Sequence, residues 1–115
     1  MFHPGSIVLT AIPQADGDIK NRPALLLTQM PGQKDWLVCG ISRSQFLAVP
    51  NFDEILTESD PEFKASGLKV SGVIRAGFVS VLPERRFEGV LGGIQEKRAK
   101  SILSRLAKYL SERSR

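Results

Sequence analysis

The sequence holds a single cysteine, a single histidine, a single tryptophan and a single tyrosine. One cysteine, Cys39, excludes an internal disulfide. With His3 as the sole histidine, it supplies no cysteine–histidine set for a zinc ion. That usage fits a reducing cytoplasm, the expected location. No apolar run approaches the ~20 residues of a membrane span. Met1-Phe2-His3-Pro4-Gly5 shows no basic region followed by an apolar stretch, so a signal peptide is not expected. There is no internal repeat, low-complexity stretch or interdomain linker. The acidic set Asp53, Glu54, Glu58, Asp60 and Glu62 lacks the ligand spacing and central glycine of an EF-hand.

What is present is an ordinary globular composition. Hydrophobic residues are 42% and charged residues 24% of the 115. That length suggests one domain, 1–115, able to bury a core without disulfides or metal. The net charge of +4 is unevenly spread. Residues 95–115 hold seven basic and two acidic residues, a surplus of five, so residues 1–94 carry one net negative charge. Basicity of this kind is weak evidence for nucleic acid, because a solvated helix face produces it too.

Hydrophobic patterning predicts a mostly β chain. Gly5 to Pro13, Pro23 to Thr28 and Trp36 to Ser42 read as strands, with polar Ala15 to Asn21 as a loop. Asp16-Gly17-Asp18 and Pro31-Gly32 are turn signals. Asp53 to Thr57 reads as a short strand. Asp60-Pro61-Glu62-Phe63-Lys64 reads as a helical turn with Asp60 as its cap. Val70 to Leu82 reads as a strand bent near Ala76-Gly77, and Phe87 to Leu91 as a last strand broken by Gly92-Gly93. Gln95 to Glu112 is a helix, with Ala99, Ile102, Leu103, Leu106 and Leu110 on one stripe.

Two segments carry the chemistry. Lys20-Asn21-Arg22-Pro23-Ala24 sets a guanidinium at a strand entry, and Ile41-Ser42-Arg43 sets a hydroxyl at a strand end. Arginine stays protonated and presents a planar fork of donors suited to phosphate. A hydroxyl nearby can touch the same phosphate, so the pair is a candidate phosphodiester site. Taken alone, Arg22 can equally pair with Asp16 or Asp18, and Ser42 can be a plain strand-end hydroxyl. Lys20, Arg43, Lys69 and Arg75 flank the pair and are candidate phosphate contacts; solvation is the plainer reading of each. Cys39 sits among apolar neighbours with no histidine to activate it, and Trp36 reads as core or edge packing. His3 is not placed in the site. The acidic set is expected away from the cleft, free to meet the basic helix of a second copy. The charged helix face is expected to be solvated.

Gly5-Ser6-Ile7-Val8, Lys20-Asn21-Arg22-Pro23-Ala24, Ile41-Ser42, Ser66-Gly67-Leu68-Lys69, Ser71 and Leu91-Gly92 before a last helix resemble the PemK/MazF family. Its members are toxins of type II toxin–antitoxin systems. The resemblance runs from about Pro4 to about Leu110. It implies a small SH3-like antiparallel β-barrel over about 4–92, a C-terminal helix over about 95–112, and a homodimer. It implies metal-independent cleavage of single-stranded RNA to a cyclic phosphate and a free 5′-hydroxyl, without cofactor. By position, Arg22 and Ser42 would be catalytic, and a cognate antitoxin would be the protein partner. The sequence departs from the family pattern at Ser6, at Ser42 in place of threonine, and at Ala76-Gly77. The same barrel also occurs in toxins that poison gyrase by contact, so a non-catalytic binding barrel is the alternative.

Overall fold

A computed structural model of the chain describes residues 1–13, 16–32 and 34–113. Ala15 of the expected loop and Arg115 of the basic tail lie outside them. Six strands form one antiparallel sheet: β1 (Ser6–Pro13), β2 (Ile19–Met30), β3 (Asp35–Ser42), β4 (Glu54–Leu56), β5 (Gly72–Pro83) and β6 (Gly89–Gly93). Their order across the sheet is β4-β5-β3-β2-β1-β6. A short helix, α1 (Phe63–Ser66), and a long one, α2 (Glu96–Arg113), complete the chain. This is the expected mostly antiparallel β architecture with a C-terminal helix. The strands curl into a half-barrel whose outer members are β4 and β6.

The run Ala24-Leu25-Leu26-Leu27 explains the sheet's central position. Strand side chains alternate between faces. Leu25 and Leu27 join Ile7, Cys39, Ile74 and Ile102 in a core beneath α2. Ala24 and Leu26 join Val8, Trp36, Val38 and Leu82 in a second core on the other face. A strand buried on both faces reads as a continuous apolar run rather than an alternating one. Cys39 is wholly buried, and burial pushes its thiol far up, so it is packing and not a nucleophile. Trp36 is buried too, with its indole N–H donating to Glu84 at 3.0 Å.

Four boundaries and contacts differ from the sequence reading. The loop before Arg22 ends early: Ile19, Lys20 and Asn21 pair with Pro13, Ile12 and Ala11, extending β2 backwards. Pro23 therefore lies within the strand. It is tolerated because the β2–β3 ladder stops at Ala24–Gly40, so no bond on that side is lost. Gly92 and Gly93 do not break β6; they pair with Ile7 and Ser6. A side chain at Gly92 would run into the backbone of Ala65 and Ser66, so glycine there permits the packing of α1. The helix starts at Phe63, with Glu62 at the N-cap position making no side-chain cap bond; the side-chain bond comes from Asp60, as expected, whose Oδ1 accepts the Glu62 N–H at 2.9 Å. Leu110 of the expected stripe is 54% exposed, while Ala99, Ile102 and Leu106 are buried.

Three of the five acidic residues, Glu54, Asp60 and Glu62, meet the basic helix of their own chain. Arg98 of α2 pairs with Glu54 at 2.6 Å, Glu62 at 2.9 Å and Asp60 at 3.0 Å, and Arg105 pairs with Glu54 at 2.7 Å. Part of the helix's basic face is thus ion-paired within the chain, not solvated. Burial alone would raise the Glu54 carboxyl, but its hydrogen bonds and charges from Arg98 and Arg105 outweigh that and hold it below the usual range. The hydrogen bond from Arg98, helped by the Glu62 N–H, lowers Asp60 as well.

These shifts set an acid dependence. A carboxylate whose folded pKa is depressed stabilises the fold above its ordinary value of ~4 and stops doing so as pH falls through the folded value. The melting temperature is expected to stay level from neutral pH to ~5 and to fall below pH ~4. Glu54→Gln should flatten that acid slope. Thermal melts across pH check this; an acid slope identical in Glu54→Gln contradicts it.

Candidate active site

The β1–β2–β3 end of the sheet carries the site. On β2 and β3 the last paired residues are Ala24 and Gly40. Arg22 lies two residues beyond Ala24, and Ser42 two residues beyond Gly40. Period-two alternation puts both on the sheet face of that pair, one on each neighbouring strand. The guanidinium and the hydroxyl are thus neighbours because the hairpin register makes them so.

Both line a cleft of about 550 Å³, together with Lys20, Asn21, Arg43, Leu68, Lys69 and Ser71. Lys69 arrives from a different element. α1 ends at Gly67, in the left-handed region with φ 76°, and the Gly67 N–H donates to Lys64. A side chain at Gly67 would overlap the Leu91 carbonyl of β6. Ser66, wholly buried, accepts the Leu68 N–H at 3.1 Å. The Ser66-Gly67-Leu68 sequence thus turns the chain out of α1 and delivers Lys69 and Ser71 to the cleft wall.

The cleft is cationic. Lys20, Arg22, Arg43 and Lys69 line it, and among the described residues its lining contains no aspartate, glutamate, histidine or cysteine. Among the described residues no carboxylate forms an ion pair with any of these four. Arg22 is therefore not closing a turn through Asp16 or Asp18; Asp16 instead accepts the Asp18 N–H. Arg22 Nε is buried without a hydrogen-bond partner among the described residues. An unsatisfied buried donor costs ~1–3 kcal/mol and calls for an explanation; an anion entering the cleft supplies one. Arg105 Nε is also unpartnered, but that guanidinium already holds Glu54.

Ser42 Oγ accepts the Ser44 N–H at 3.1 Å. That bond fixes the oxygen and leaves the hydroxyl proton to donate outward. Arg75 lies apart from the main cleft, in a smaller depression of about 190 Å³ that also touches Arg22 and Ser42. His3 is exposed, its Nδ1 beside the Pro4 carbonyl, and lines neither depression. Asp53, Glu54, Glu58, Asp60 and Glu62 line neither, so the acidic set does sit away from the cleft. Ala76 and Gly77 line neither as well; Ala76 is buried and its N–H donates to Asp53 at 2.9 Å. Sequence reading missed Asn21 and Phe78 as lining residues. For Phe78 the signal was Gly40, since a glycine inside a strand marks close approach of another group.

A substitution series at Ser42 separates oxygen from shape. Ser42→Thr keeps the oxygen and should retain activity. Ser42→Ala and Ser42→Val should each lose ~10-fold or more in turnover, the worth of a hydrogen bond to a charged group. The melting temperature should fall by only a few degrees, reflecting loss of the bond from Ser44. Valine behaving like threonine in cleavage assays would contradict the role of the hydroxyl.

Comparison with known proteins agrees with the fold. Residues 3–110 match the family described as PemK-like, MazF-like toxin of type II toxin-antitoxin system. No curated protein sequence matches the chain. Among solved structures, a Mycobacterium tuberculosis toxin, MazF-mt6, is similar with a TM-score of 0.61 at 16% identity, over 92% of this chain and 96% of that one. An endoribonuclease in complex with its cognate antitoxin, from Mycobacterial species, is similar with a TM-score of 0.65 at 14% identity, over 96% of each chain.

Proposed function

Since the chain belongs to the PemK-like, MazF-like toxins of type II toxin–antitoxin systems, we propose that it is an endoribonuclease cutting single-stranded RNA at the Arg22–Ser42 cleft. The observation that carries this reading is a half-buried Arg22, without an ion pair among the described residues, beside a fixed Ser42 hydroxyl in a cleft whose described charged residues are all cations. We further propose that 1–115 acts as one domain.

In this mechanism the ribose 2′-hydroxyl oxygen attacks phosphorus and the bond to the 5′-oxygen breaks. The products are a cyclic phosphate and a free 5′-hydroxyl, with solvent water taking the 2′-hydroxyl proton and supplying one to the departing 5′-oxygen. DNA lacks the attacking group and is not cut. Extra negative charge develops on the non-bridging oxygens, and Arg22, half-buried with its Nε shielded from water, stabilises it. Ser42 donates to one of those oxygens. Lys20, Arg43 and Lys69 hold flanking phosphates, and Arg75 reaches them from the smaller depression. Arginine is protonated at neutral pH and is a poor base. Its role here is electrostatic, and among the described residues the lining holds no carboxylate or imidazole to act as a base.

Among the described residues the lining holds no metal-ligand set, which supports cleavage without metal. The test is cleavage of a long unstructured RNA by the purified chain with EDTA present. Cutting is expected to persist. An inert wild-type chain, or full loss of cutting with EDTA, contradicts the reading. The partners proposed are a cognate antitoxin protein and a second copy of the chain. Exposed Val79 and Val81 on β5 and exposed Tyr109 on α2 support the second copy. Light scattering across a dilution series checks it, and a constant mass of 12.7 kDa contradicts it.

A further inference from the structure

The β3–β5 register slips in one place. Cys39 pairs with Val79 and Ile41 pairs with Ile74, so Gly40 alone faces Arg75, Ala76, Gly77 and Phe78. This large bulge throws the four residues out of the ladder and re-aims them. It needs Gly40: a Cβ there would sit 2.7 Å from Phe78 Cδ2. The Phe78 ring therefore lies against the backbone only two residues along β3 from Ser42. The Arg75 guanidinium carbon lies 5.6 Å from the centre of that ring, within cation–π range.

These two flat groups share the depression of about 190 Å³ with Arg22, Ile41, Ser42 and Leu47. Phe78 and Arg75 are each partly exposed, so both present surface to it. Its size suits one unstacked base and not a base pair. Its position next to Arg22 and Ser42 puts such a base within one nucleotide of a phosphate held there. Aromatic rings and arginine planes are the surfaces on which single-stranded bases stack. Among the described residues Arg75 forms no ion pair, so its charge stays available to the strand.

We propose that Phe78 and Arg75 form a stacking wall for one nucleobase adjacent to the phosphate bound by Arg22 and Ser42. The proposal rests on reading the cleft as an RNA-cleaving site, and it adds a residue pair that positions the strand. The bulge is then the device that turns an otherwise internal strand residue into a base platform. Stacking of this kind tolerates any base, so it fixes register more than it selects sequence.

The probe is a set of 2′-O-methyl RNA hexamers of U, A and C, which lack the attacking hydroxyl and are not cut. In each, one position at a time is made abasic, and affinity is read by fluorescence anisotropy. For the wild-type chain, the abasic change at one position is expected to weaken binding about tenfold, equivalent to about 1.4 kcal/mol. In Arg75→Ala and in Phe78→Leu that penalty should shrink to about twofold or less, the coupling expected when both changes remove one contact. Arg75 is half-buried and belongs to neither core, so Arg75→Ala keeps the test sound if Phe78→Leu fails to fold. A positional penalty unchanged in the folded variants, or equal loss at every position, overturns the stacking wall and leaves the ribonuclease reading standing. No binding of any hexamer by the wild-type chain overturns both.

Discussion

Arg22→Ala is expected to slow RNA cleavage at least ~100-fold while the protein still folds. The expectation follows from where charge develops. Phosphodiester attack loads negative charge onto oxygens that carried less of it before. A donor already aimed at those oxygens contributes mainly to the transition state, so the loss should fall on kcat more than on KM. Arg22 is suited to this because no carboxylate competes for it among the described residues and its Nε is shielded from water. Arg22→Lys keeps one positive charge but loses the planar fork, and should recover only part of the rate. Removing Arg43 or Lys69 should act differently. Each change should weaken RNA binding evenly across sequences and reduce the salt slope of binding by about one. Steady-state cleavage of one RNA by these variants, with melts to confirm folding, decides between the two roles. Full cleavage by folded Arg22→Ala contradicts the mechanism.

How far the sequence alone reached depends on the range of the interaction. The apolar run at Ala24 to Leu27 and the helix stripe at Ala99, Ile102 and Leu106 are local patterns, and both lie where periodicity places them. The Arg22 and Ser42 neighbourhood came from strand ends and order along the chain, and hairpin register then explains it. Other features depend on contacts that spacing cannot encode. Lys20 and Asn21 look like loop because they are polar, yet β1 supplies partners for them. Gly92 and Gly93 look like breakers, yet Gly92 is glycine because α1 packs closely on β6, and a Cβ at Gly93 would press on the Gly5 carbonyl at 3.0 Å. The Arg75–Phe78 pair depends on a four-against-one bulge that no composition rule indicates. Arg98 looked like one solvated charge among several; its three carboxylate partners lie 36 to 44 residues away in sequence.

Those partners make Arg98 the charged residue whose loss should most disturb the fold. Its side chain is 22% exposed, and Glu54, Asp60 and Glu62 around it are 19%, 17% and 21% exposed. Arg98→Met keeps the length of the stem and removes the charge. Three carboxylates then face one another with Arg105 alone remaining, bound to Glu54. Leaving charges partly buried and unpaired costs about 3 kcal/mol, more than the pair itself contributes. For a chain of this size that lowers the melting temperature by about 10 °C. The comparison is Lys100→Met, which breaks a pair with Glu96 at 3.5 Å whose side chains are 68% and 52% exposed. Solvent already screens that pair, and its loss should shift the melt by less than about 2 °C. Calorimetry on both variants at neutral pH reads the contrast. Below pH ~4 the Arg98→Met deficit should narrow, because protonated carboxyls no longer need the guanidinium. Equal shifts for the two variants would mean that the network on α2 contributes no more than a surface pair. A deficit that stays constant into acid would mean that Arg98 acts through packing and not through charge.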